Sequence, residues 1–323
     1  MKHLLASLSL LLVLPLQAEP IWTDPAKAAK EDPDFLLQGE YHKEGASHGL
    51  QIVALGDRKF DGYLLEGGLP GAGWEPGKGR VKLTSSETKG GIVLNITGKD
   101  FPLVRLKEDG VRIHLGPGKD FVLPRVERKS PTLGAKPPKG AVVLFDGTTA
   151  DGWERGVMEN GLLKANHSMS KQKFKSFKAH IEFRTPYKPK ARGQKRGNSG
   201  IYHCGRWETQ VLDSFGLEGK QNETGGIYSI AKPRLNMCLP PLAWQTYDVD
   251  FTAAKFDENG KRTAWPRITV KLNGVVIQED QELGKDFTTA APIKTPITDE
   301  GGPMFLQDHK NPVYFRNIWV LPK

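Results

Sequence analysis

The stretch Asn198–Ser214, NSGIYHCGRWETQVLDS, decides how this chain folds. Its second half predicts a β-strand that carries Glu208, Gln210 and Asp213. Because side chains alternate along a strand, Glu208 and Gln210 share one face. Asp213 joins that face only if a bulge inserts one residue between Gln210 and Asp213. Two carboxyl groups around an amide on one sheet face suit acid–base chemistry on a sugar.

Strand-like runs continue on both sides of this stretch. After a start at residues 142–145, they span His180–Arg184, Gly200–His203, Trp207–Leu212, Thr246–Phe251, Arg267–Leu272, Val275–Gln278, Met304–Gln307 and Tyr314–Val320. Asn273-Gly274 between two β-branched runs predicts a two-residue hairpin. No stretch longer than about ten residues has a clean helical period. Residues 140–323 are therefore predicted to form an all-β, two-sheet sandwich of the jelly-roll type.

The first half of the chain is also rich in short strand-like runs. They cover Leu50–Leu55, Phe60–Leu65, Arg80–Leu83, Ile92–Ile96, Leu103–Leu106 and Val111–Leu115, with glycine-rich turns between them. The glycine-rich segment 67–79 lacks the Gly-Lys-Ser/Thr ending of a phosphate-binding loop, so it is interpreted as a turn region. Residues 19–123 are predicted to form a small all-β accessory domain.

A proline- and lysine-rich segment, residues 124–139, separates the two β regions. It contains Ser130-Pro131 and Pro137-Pro138. Proline fixes φ and removes a backbone donor, so the segment is predicted to be a semi-extended linker. The second domain is expected to occupy residues 140–323.

The amino terminus has the pattern of a secretory signal peptide over residues 1–18. A basic start precedes an apolar run from Leu4 to Leu16 and the small residue Ala18. The run is too short to span a membrane comfortably. A buried N-terminal helix is the competing interpretation. No later segment approaches the length of a membrane span, so the mature chain is expected to be periplasmic or secreted.

The formal net charge of +9 is concentrated in one segment. Residues 171–196 contain ten Lys and Arg residues against one acid, Glu182. Such patches are typical of proteins that bind nucleic acids or anionic polymers. A solvated strand face and loop is favoured here, because the segment lacks a nucleic-acid-binding motif and export argues against a genomic partner. An anionic cell-surface glycan stays open as a ligand.

The two cysteines, Cys204 and Cys238, leave two interpretations open. In an oxidising compartment they pair and close a long loop, which stabilises the fold. Alternatively, they are two separate buried thiols. Two cysteines without close spacing do not form a zinc site.

Several motifs follow one another in the second half. They are Leu144-Phe145-Asp146-Gly147 with Gly152-Trp153, Gly197–Tyr202, Gly205–Ser214, Gly226-Ile227-Tyr228, Lys232-Pro233 with Asn236, Trp244–Asp248, Asn273-Gly274-Val275, Leu306–His309, and Val313 with Phe315–Trp319. In this order they resemble the 3-keto-disaccharide hydrolase domain family over residues 140–322. The resemblance implies a fold similar to concanavalin A-like lectins and β-glucanases. It also implies cleavage of glycosides already oxidised to a ketone at C3, by hydrolysis or by elimination.

The implied chemistry defines which groups the site needs. A ketone at C3 acidifies the proton at C2. A base removes that proton, the C1 substituent leaves by elimination, and water adding to the enone gives net hydrolysis. The reaction needs a base near C2, an electrophile for the enolate oxygen and an acid for the leaving oxygen.

The candidate catalytic residues are Glu208, Asp213 and His309. Glu208 is the leading acid or base, and the alternative is a structural carboxylate paired with Arg206 or a lysine. Asp213 is a second reacting carboxyl or, alternatively, a cap or turn residue. Histidine titrates near neutral pH, so His309 is a base, an enolate partner or a structural residue.

The candidate substrate-binding residues are polar or aromatic side chains of the family-like motifs. They are Tyr202, Arg206, Gln210, Lys232, Asn236, Trp244, Gln245 and Asp308. For Lys232 the alternative is an exposed surface lysine, and for Gln210 it is a buried, hydrogen-bonded amide.

A metal is a further open question. The chain offers oxygen and nitrogen ligands at Asp146, Asp213, Asp308 and His309. A divalent ion such as calcium fits lectin-like sandwiches. The spacing of these residues matches no recognised metal motif, so none is assigned as a ligand.

Three functions stay open at this point. The leading hypothesis is an exported enzyme that acts on a small carbohydrate, a 3-keto-glycoside. The second is a glycan-binding module without turnover, since this fold serves both roles. The third is an ordinary β-glycosidase. Gln210 between the two carboxyl residues weighs against it, because a β-glucanase pattern has an aspartate there.

Overall fold

The structure is a computed structural model that describes residues 19–99, 101–107 and 110–323. The predicted signal peptide, residues 1–18, lies outside the described residues. Two short helices open the described chain, α1 (Pro25–Glu31) and α2 (Pro33–Leu37). Each follows an aspartate whose side chain accepts from a backbone N–H of the first turn, Asp24 for α1 and Asp32 for α2. An aspartate cap followed by proline is a favourable way to begin a helix.

A nine-stranded antiparallel sheet contains most of the first half. The strands of this half are β1 (Gly39–Tyr41), β2 (His48–Gly56), β3 (Lys59–Glu66), β4 (Leu69–Pro70), β5 (Gly73–Trp74), β6 (Arg80–Thr88), β7 (Gly91–Asn95), β8 (Leu103–Lys107), β9 (Gly110–His114), β10 (Asp120–Leu123) and β11 (Arg125–Val126). Their order in the sheet is β10-β9-β8-β7-β6-β3-β2-β1-β11, and β4 pairs separately with β5. The six strands predicted for this half are all present.

The second half contains two larger sheets. Its strands are β12 (Val142–Phe145), β13 (Trp153–Glu154), β14 (Val157–Glu159), β15 (Leu162–Lys164), β16 (Ser168–Phe174), β17 (Phe177–Arg184), β18 (Ser199–His203), β19 (Trp207–Val211), β20 (Gln245–Thr252), β21 (Lys255–Phe256), β22 (Arg262–Ala264), β23 (Arg267–Leu272), β24 (Val275–Glu282), β25 (Gly302–Leu306) and β26 (Tyr314–Pro322). An eight-stranded sheet runs β14-β15-β26-β17-β20-β23-β24, with β12 also on β26. A five-stranded sheet runs β13-β16-β25-β18-β19.

The hydrophobic core lies between these two sheets. Ile201, Trp207 and Val211 from the five-stranded sheet join the same buried cluster as Val249 and Phe251 from the eight-stranded sheet. The rings of Trp207 and Phe251 have centroids 5.6 Å apart. The predicted all-β, two-sheet sandwich is thus confirmed, and large apolar side chains stabilise it by burial. The alternate side chains of β18 and β19 point away from this core.

The predicted hairpin at Asn273-Gly274 connects β23 to β24. Leu272 and Val275 are paired directly across the turn. The φ angles of Asn273 and Gly274 are +51° and +82°. Asparagine and glycine tolerate this left-handed backbone, which is why the pair predicts the turn.

The predicted linker is bonded to the outer face of the eight-stranded sheet. Thr132 Oγ1 donates to Asp248 Oδ2 over 2.7 Å, and the Gly134 N–H donates to Glu182 Oε1 over 2.5 Å. Asn317 Nδ2 donates to the Ala135 carbonyl over 3.0 Å. Polar side chains on the sheet therefore hold residues 132–135 in place. A semi-extended spacer does not need such contacts.

The structure contains two free, buried cysteines and a basic segment that is partly buried. Cys204 and Cys238 are free and buried, so the structure has two separate thiols and not a disulfide. Arg196 of the basic segment is 5% exposed and bonded to the first half, where its Nη1 donates to the Ala54 carbonyl. A solvated face therefore does not describe every member of that segment.

Among the described helices, none is long and apolar enough to cross a membrane.

Candidate active site

Three neighbouring strands of the five-stranded sheet place a carboxyl group on the face that points away from the core. Tyr202 on β18 is paired with Glu208 on β19, and Gly200 is paired with Gln210. Strand β25 lies on the other side of β18. Alternation along β19 brings Glu208 and Gln210 to one face, as the sequence predicts.

A tyrosine holds one oxygen of the Glu208 carboxyl. The Tyr202 hydroxyl donates to Glu208 Oε2 over 2.7 Å, and Gln307 Nε2 donates to the Tyr202 oxygen over 3.0 Å. The other oxygen, Oε1, lies above Gly200. A Cβ on Gly200 would be 2.2 Å from Oε1, which is inside van der Waals contact. Glycine at this position is therefore what lets the carboxyl lie across the strand.

Burial changes the acidity of this carboxyl. Glu208 is 3% exposed. Loss of solvation raises its pKa from 4.5 to about 7, although the hydrogen bond from Tyr202 lowers it in part. Burial, followed by the neighbouring Glu208, raises the pKa of Tyr202 well above its usual range, so its hydroxyl keeps its proton. A carboxyl that titrates near neutral pH can take up or release a proton there, as a general base or acid must.

A group of amide side chains continues the polar face beyond Glu208. Gln194 Oε1 accepts from Asn198 Nδ2 and from Gln210 Nε2, each over 2.9 Å. Gln194 Nε2 donates to the Asn222 carbonyl over 2.8 Å. Gln210 is thus both buried and bonded, and it remains on the face of Glu208.

Aromatic and apolar side chains form the other flank. The ring of Phe305 on β25 packs edge-on against Tyr202, with centroids 5.4 Å apart. The exposed imidazole of His167 stacks on Phe305 at 5.7 Å. Ala291 packs against Tyr202 and Phe305, while the Glu208 N–H donates to Thr288 Oγ1 over 3.2 Å. The segment around residues 288–291 therefore covers this side of the carboxyl.

Sequence reasoning missed several residues of this face. No site role was predicted from the sequence for Gln307, Gly200, Gln194, Asn198 or His167. Gln307, Gly200 and Asn198 lie inside the family-like motifs, and the alternation of β18 is a signal for Gly200 alone, since Asn198 precedes β18 and Gln307 follows β25. Gln194 and His167 lie outside those motifs, and nothing in the sequence distinguished them.

The carboxyl group of Asp213 is bonded to Arg196 and to the backbone of Phe215. Its Oδ2 accepts from Arg196 Nε over 2.6 Å, and both side chains are buried. Its Oδ1 accepts from the Phe215 N–H over 3.3 Å. Strand β19 ends at Val211, so the bulge needed to bring Asp213 to the face of Glu208 is not formed within the strand. Its contacts are those of the cap or turn residue considered as the alternative.

Three further candidates hold loops in place. Arg206 Nη2 donates to Thr295 Oγ1 over 3.2 Å and to the Pro296 carbonyl over 3.1 Å. Asn236 Nδ2 donates to the carbonyls of Ser214 and Leu217 over 2.8 and 2.9 Å. Gln245 Oε1 accepts from the Leu239 N–H over 2.8 Å. All three side chains are buried with these partners, so their polar groups are used to hold loops.

Trp244 lies at the junction of the two halves. The guanidinium groups of Arg184 and Arg316 lie 4.8 and 4.1 Å from its ring centroid. Its side chain lines a cavity of about 560 Å³ whose walls also come from α1, α2 and β11. The two arginines are cation–π partners of this ring, which differs from the substrate-binding role predicted for Trp244.

The last three candidates lie on loops. Lys232 and His309 are exposed, and the His309 carbonyl accepts from Asn311 Nδ2 over 2.8 Å. Asp308 is half-buried, and its Oδ1 accepts from the Lys310 N–H over 2.7 Å. His309 follows Gln307 by two residues, so its loop begins next to the partner of Tyr202.

Metal-ligand geometry is not formed in the part of the chain that the structure describes. There, no group of three His, Cys, Asp or Glu side chains has an arrangement that could hold a metal ion. Asp146 Oδ1 accepts from the Thr148 hydroxyl over 2.6 Å, and Asp213 is paired with Arg196. The residues considered as ligands are therefore dispersed.

Comparison with known proteins identifies the family. Residues 140–321 match the 3-keto-α-glucoside-1,2-lyase-like domain, which is more than half of the chain. The protein belongs to this family. A crystal structure of a "putative glycosyl hydrolase" from Parabacteroides distasonis ATCC 8503 is 34% identical, with a TM-score of 0.52, over 58% of this chain and 85% of that chain. This chain is thus a glycosyl-hydrolase-like, carbohydrate-active protein of the lyase-like family.

A second structure with the same description, from the same organism, is 21% identical with a TM-score of 0.42 and covers 57% of this chain and 94% of that chain. No functionally curated protein matches the chain significantly. The lyase-like domain coincides with the second half of the chain, which contains Glu208 and its neighbours.

Proposed function

We propose that this member of the family is an exported enzyme that cleaves 3-keto-glycosides. The observation that carries the proposal is the Glu208 carboxyl. It is buried, its pKa is raised to about 7, and its only hydrogen bond from a described residue is the Tyr202 bond to Oε2. The family match supports the substrate class.

In the proposed reaction, Glu208 Oε1 takes the proton from C2 of the 3-keto sugar. The electron pair of the C2–H bond forms a C1=C2 double bond, and the bond between C1 and its oxygen substituent breaks. The leaving oxygen takes up a proton from water, which yields the free alcohol, an enone and hydroxide. Hydroxide then bonds at C1 of the enone and Glu208 returns its proton to C2, which gives the 3-keto sugar and restores the carboxylate.

Tyr202 acts in this proposal as a positioning residue. Its hydroxyl donates to Oε2 and accepts from Gln307, so the carboxyl is held by one oxygen. The proton from C2 then goes to Oε1, which lies over Gly200. His309 is the proposed partner of the enolate oxygen and the exposed Lys232 is a second one, because the reaction needs a cationic or hydrogen-bond-donating group at that oxygen.

The partners of Asp213 favour elimination over double displacement. A retaining glycosidase needs two carboxyl groups about 5 Å apart, one as nucleophile and one as acid. Asp213 is bonded to Arg196, and Gln210 lies between it and Glu208 in the sequence. A C2 proton abstraction needs one carboxyl base, which Glu208 provides.

Comparing a 3-keto-glucoside with its unoxidised parent tests the proposal. We expect release of the alcohol from the keto compound and no release from the parent. Cleavage of the parent at a comparable rate would instead indicate an ordinary β-glycosidase. Binding of either sugar without turnover would indicate a glycan-binding module.

Export is proposed from the pattern of residues 1–18. We expect the mature protein outside the cytoplasm of a bacterial host, with an amino terminus at Glu19. Amino-terminal sequencing of the fractionated protein tests this, and recovery of a cytoplasmic chain that begins at Met1 would contradict it.

A further inference from the structure

Two amide oxygens near Glu208 are buried and unpaired. In residues 19–99, 101–107 and 110–323, Asn198 Oδ1 and Gln210 Oε1 have no hydrogen-bond partner. Their side chains are 3% and 1% exposed, respectively. Buried polar atoms in folded proteins are nearly always hydrogen-bonded, so two unpaired acceptors in one place indicate a site for donors from a ligand.

A backbone carbonyl fixes the direction in which these amides point. The Asn222 carbonyl can only accept, and it receives Gln194 Nε2 over 2.8 Å and Gln210 Nε2 over 3.3 Å. Gln194 Oε1 is thereby turned toward the NH2 groups of Asn198 and Gln210. Exchanging oxygen and nitrogen in either amide would place two acceptors against each other. Both oxygens are therefore presented as acceptors.

The two oxygens belong to the same face as Glu208. Gln210 follows Glu208 by two residues on β19, which separates them by about 7 Å along one face. Gly200, the cross-strand partner of Gln210, is the residue over which Glu208 Oε1 lies. Asn198 lies directly before β18, and its Nδ2 shares the acceptor Gln194 Oε1 with Gln210 Nε2, so the two amides lie side by side.

We propose that Asn198 and Gln210 form a hydroxyl-binding subsite that accepts hydrogen bonds from the 4- and 6-hydroxyl groups of the sugar ring. The assignment rests on the proposed function for the position of C2 at Glu208. In a hexopyranose, the edge that carries these hydroxyl groups lies opposite C1 and C2. The amides are buried, so they close this end of the site. The substrate is then a terminal 3-keto sugar with free 4- and 6-hydroxyl groups, whose C1 substituent points outward.

Calorimetric binding to the Glu208→Gln variant tests the subsite without turnover. The probes are a 3-keto-glucoside and its 4-deoxy and 6-deoxy analogues. We expect each deoxy analogue to bind about five- to tenfold more weakly than the parent, because one hydrogen bond is lost. Adding Asn198→Leu or Gln210→Met is expected to weaken binding of the parent by a similar factor. Each change is also expected to abolish discrimination against one of the deoxy analogues.

Two further variants separate positioning from general damage. Gln194→Met removes the group that orients both amides and is expected to reduce discrimination against both analogues. Gln221→Met alters an exposed glutamine on the neighbouring loop and is expected to bind like Glu208→Gln alone. If Asn198→Leu does not fold, the deoxy analogues on the Glu208→Gln protein decide the question.

The outcomes distinguish this inference from the proposed function. Equal affinity for the parent and both deoxy analogues, in an enzyme that cleaves the 3-keto-glucoside, would overturn the subsite and leave the function standing. Discrimination that depends on Asn198 and Gln210, in a wild-type protein that does not cleave the keto compound, would support hydroxyl recognition and overturn the function.

Discussion

Tyr202 and Glu208 face each other across β18 and β19, and the tyrosine hydroxyl donates to Glu208 Oε2 over 2.7 Å. Gln307, directly after β25, donates to the same hydroxyl. Three adjacent strands thus fix the position of one carboxyl group. A site built on strands holds a reacting group more accurately than a site built on loops.

Removing the carboxylate of Glu208 is expected to lower turnover strongly. Glu208→Gln keeps an oxygen that accepts from Tyr202 but has no carboxylate to take the C2 proton. Turnover of a 3-keto-glucoside should fall by about 10² or more. Glu258→Gln, at an exposed glutamate of the same half, is the matched control and should react as the wild type does. Near-normal turnover in Glu208→Gln would remove this residue from the mechanism.

The same substitution is expected to change stability in a pH-dependent way. The pKa of Glu208 is raised from 4.5 to about 7, so the folded state prefers the protonated carboxyl. The favourable contribution is fully present below pH 4.5 and is lost as pH rises toward 7. At pH 8, Glu208→Gln should therefore be more stable than the wild type by about 3 kcal/mol, and below pH 4.5 the difference should vanish. Urea unfolding at both pH values measures this, and a difference that does not change with pH would contradict the raised pKa.

The activity profile should report the same group. If Glu208 is the base, kcat/KM should rise with pH through an apparent pKa of about 7. Tyr202→Phe removes a hydrogen bond that lowers the pKa of Glu208, so the rise of kcat/KM should move to higher pH. Turnover at pH 7 should fall by about tenfold. Tyr314→Phe, which removes a hydroxyl bonded to Glu159 on the other sheet, is the control. A pH dependence of kcat/KM that is unchanged in Tyr202→Phe would argue against Glu208 as the base.

A single methyl group at Gly200 should displace the carboxyl. The added Cβ would be 2.2 Å from Glu208 Oε1 and 2.8 Å from its carboxyl carbon. The side chain must then rotate away and give up its bond to Tyr202. Turnover of Gly200→Ala should fall by about 10², comparable to Glu208→Gln, since the base is lost from its position. Circular dichroism should show an intact β fold, and full activity in this variant would mean that Oε1 is not the reacting oxygen.

The sequence predicts the strands well because their signal is local. Alternation and glycine turns placed β2, β3 and β6–β9 in the first half, and Asn273-Gly274 placed a hairpin. The helices α1 and α2 were missed, since seven and five residues are too few for a helical period. Their caps were nevertheless visible, because an aspartate precedes a proline at both Asp24 and Asp32.

The candidate site is predictable only where it depends on one strand. The shared face of Glu208 and Gln210 follows from a two-residue period. The contact between Tyr202 and Gln307 joins residues 105 positions apart, and the bond from Arg196 to the Ala54 carbonyl joins the two halves of the chain. Such contacts depend on strand order and on packing between halves, which the spacing of residues does not contain.

The ion pair of Asp213 and Arg196 gives a test that separates a structural from a reacting carboxyl. Asp213→Asn leaves the guanidinium buried without its counter-charge, although Arg196 Nη1 keeps the carbonyls of Ala54 and Pro189 at 3.2 and 3.1 Å. Breaking one side of a buried pair costs about 3 kcal/mol or more, so urea unfolding should show a loss of that size. Replacing both partners, as Asp213→Asn with Arg196→Met, should recover part of the loss. In both variants the turnover of folded protein, measured at low temperature, should stay within about twofold of the wild type because Glu208 is untouched. A folded Asp213→Asn protein with turnover reduced by about 10² would instead restore Asp213 as a reacting group.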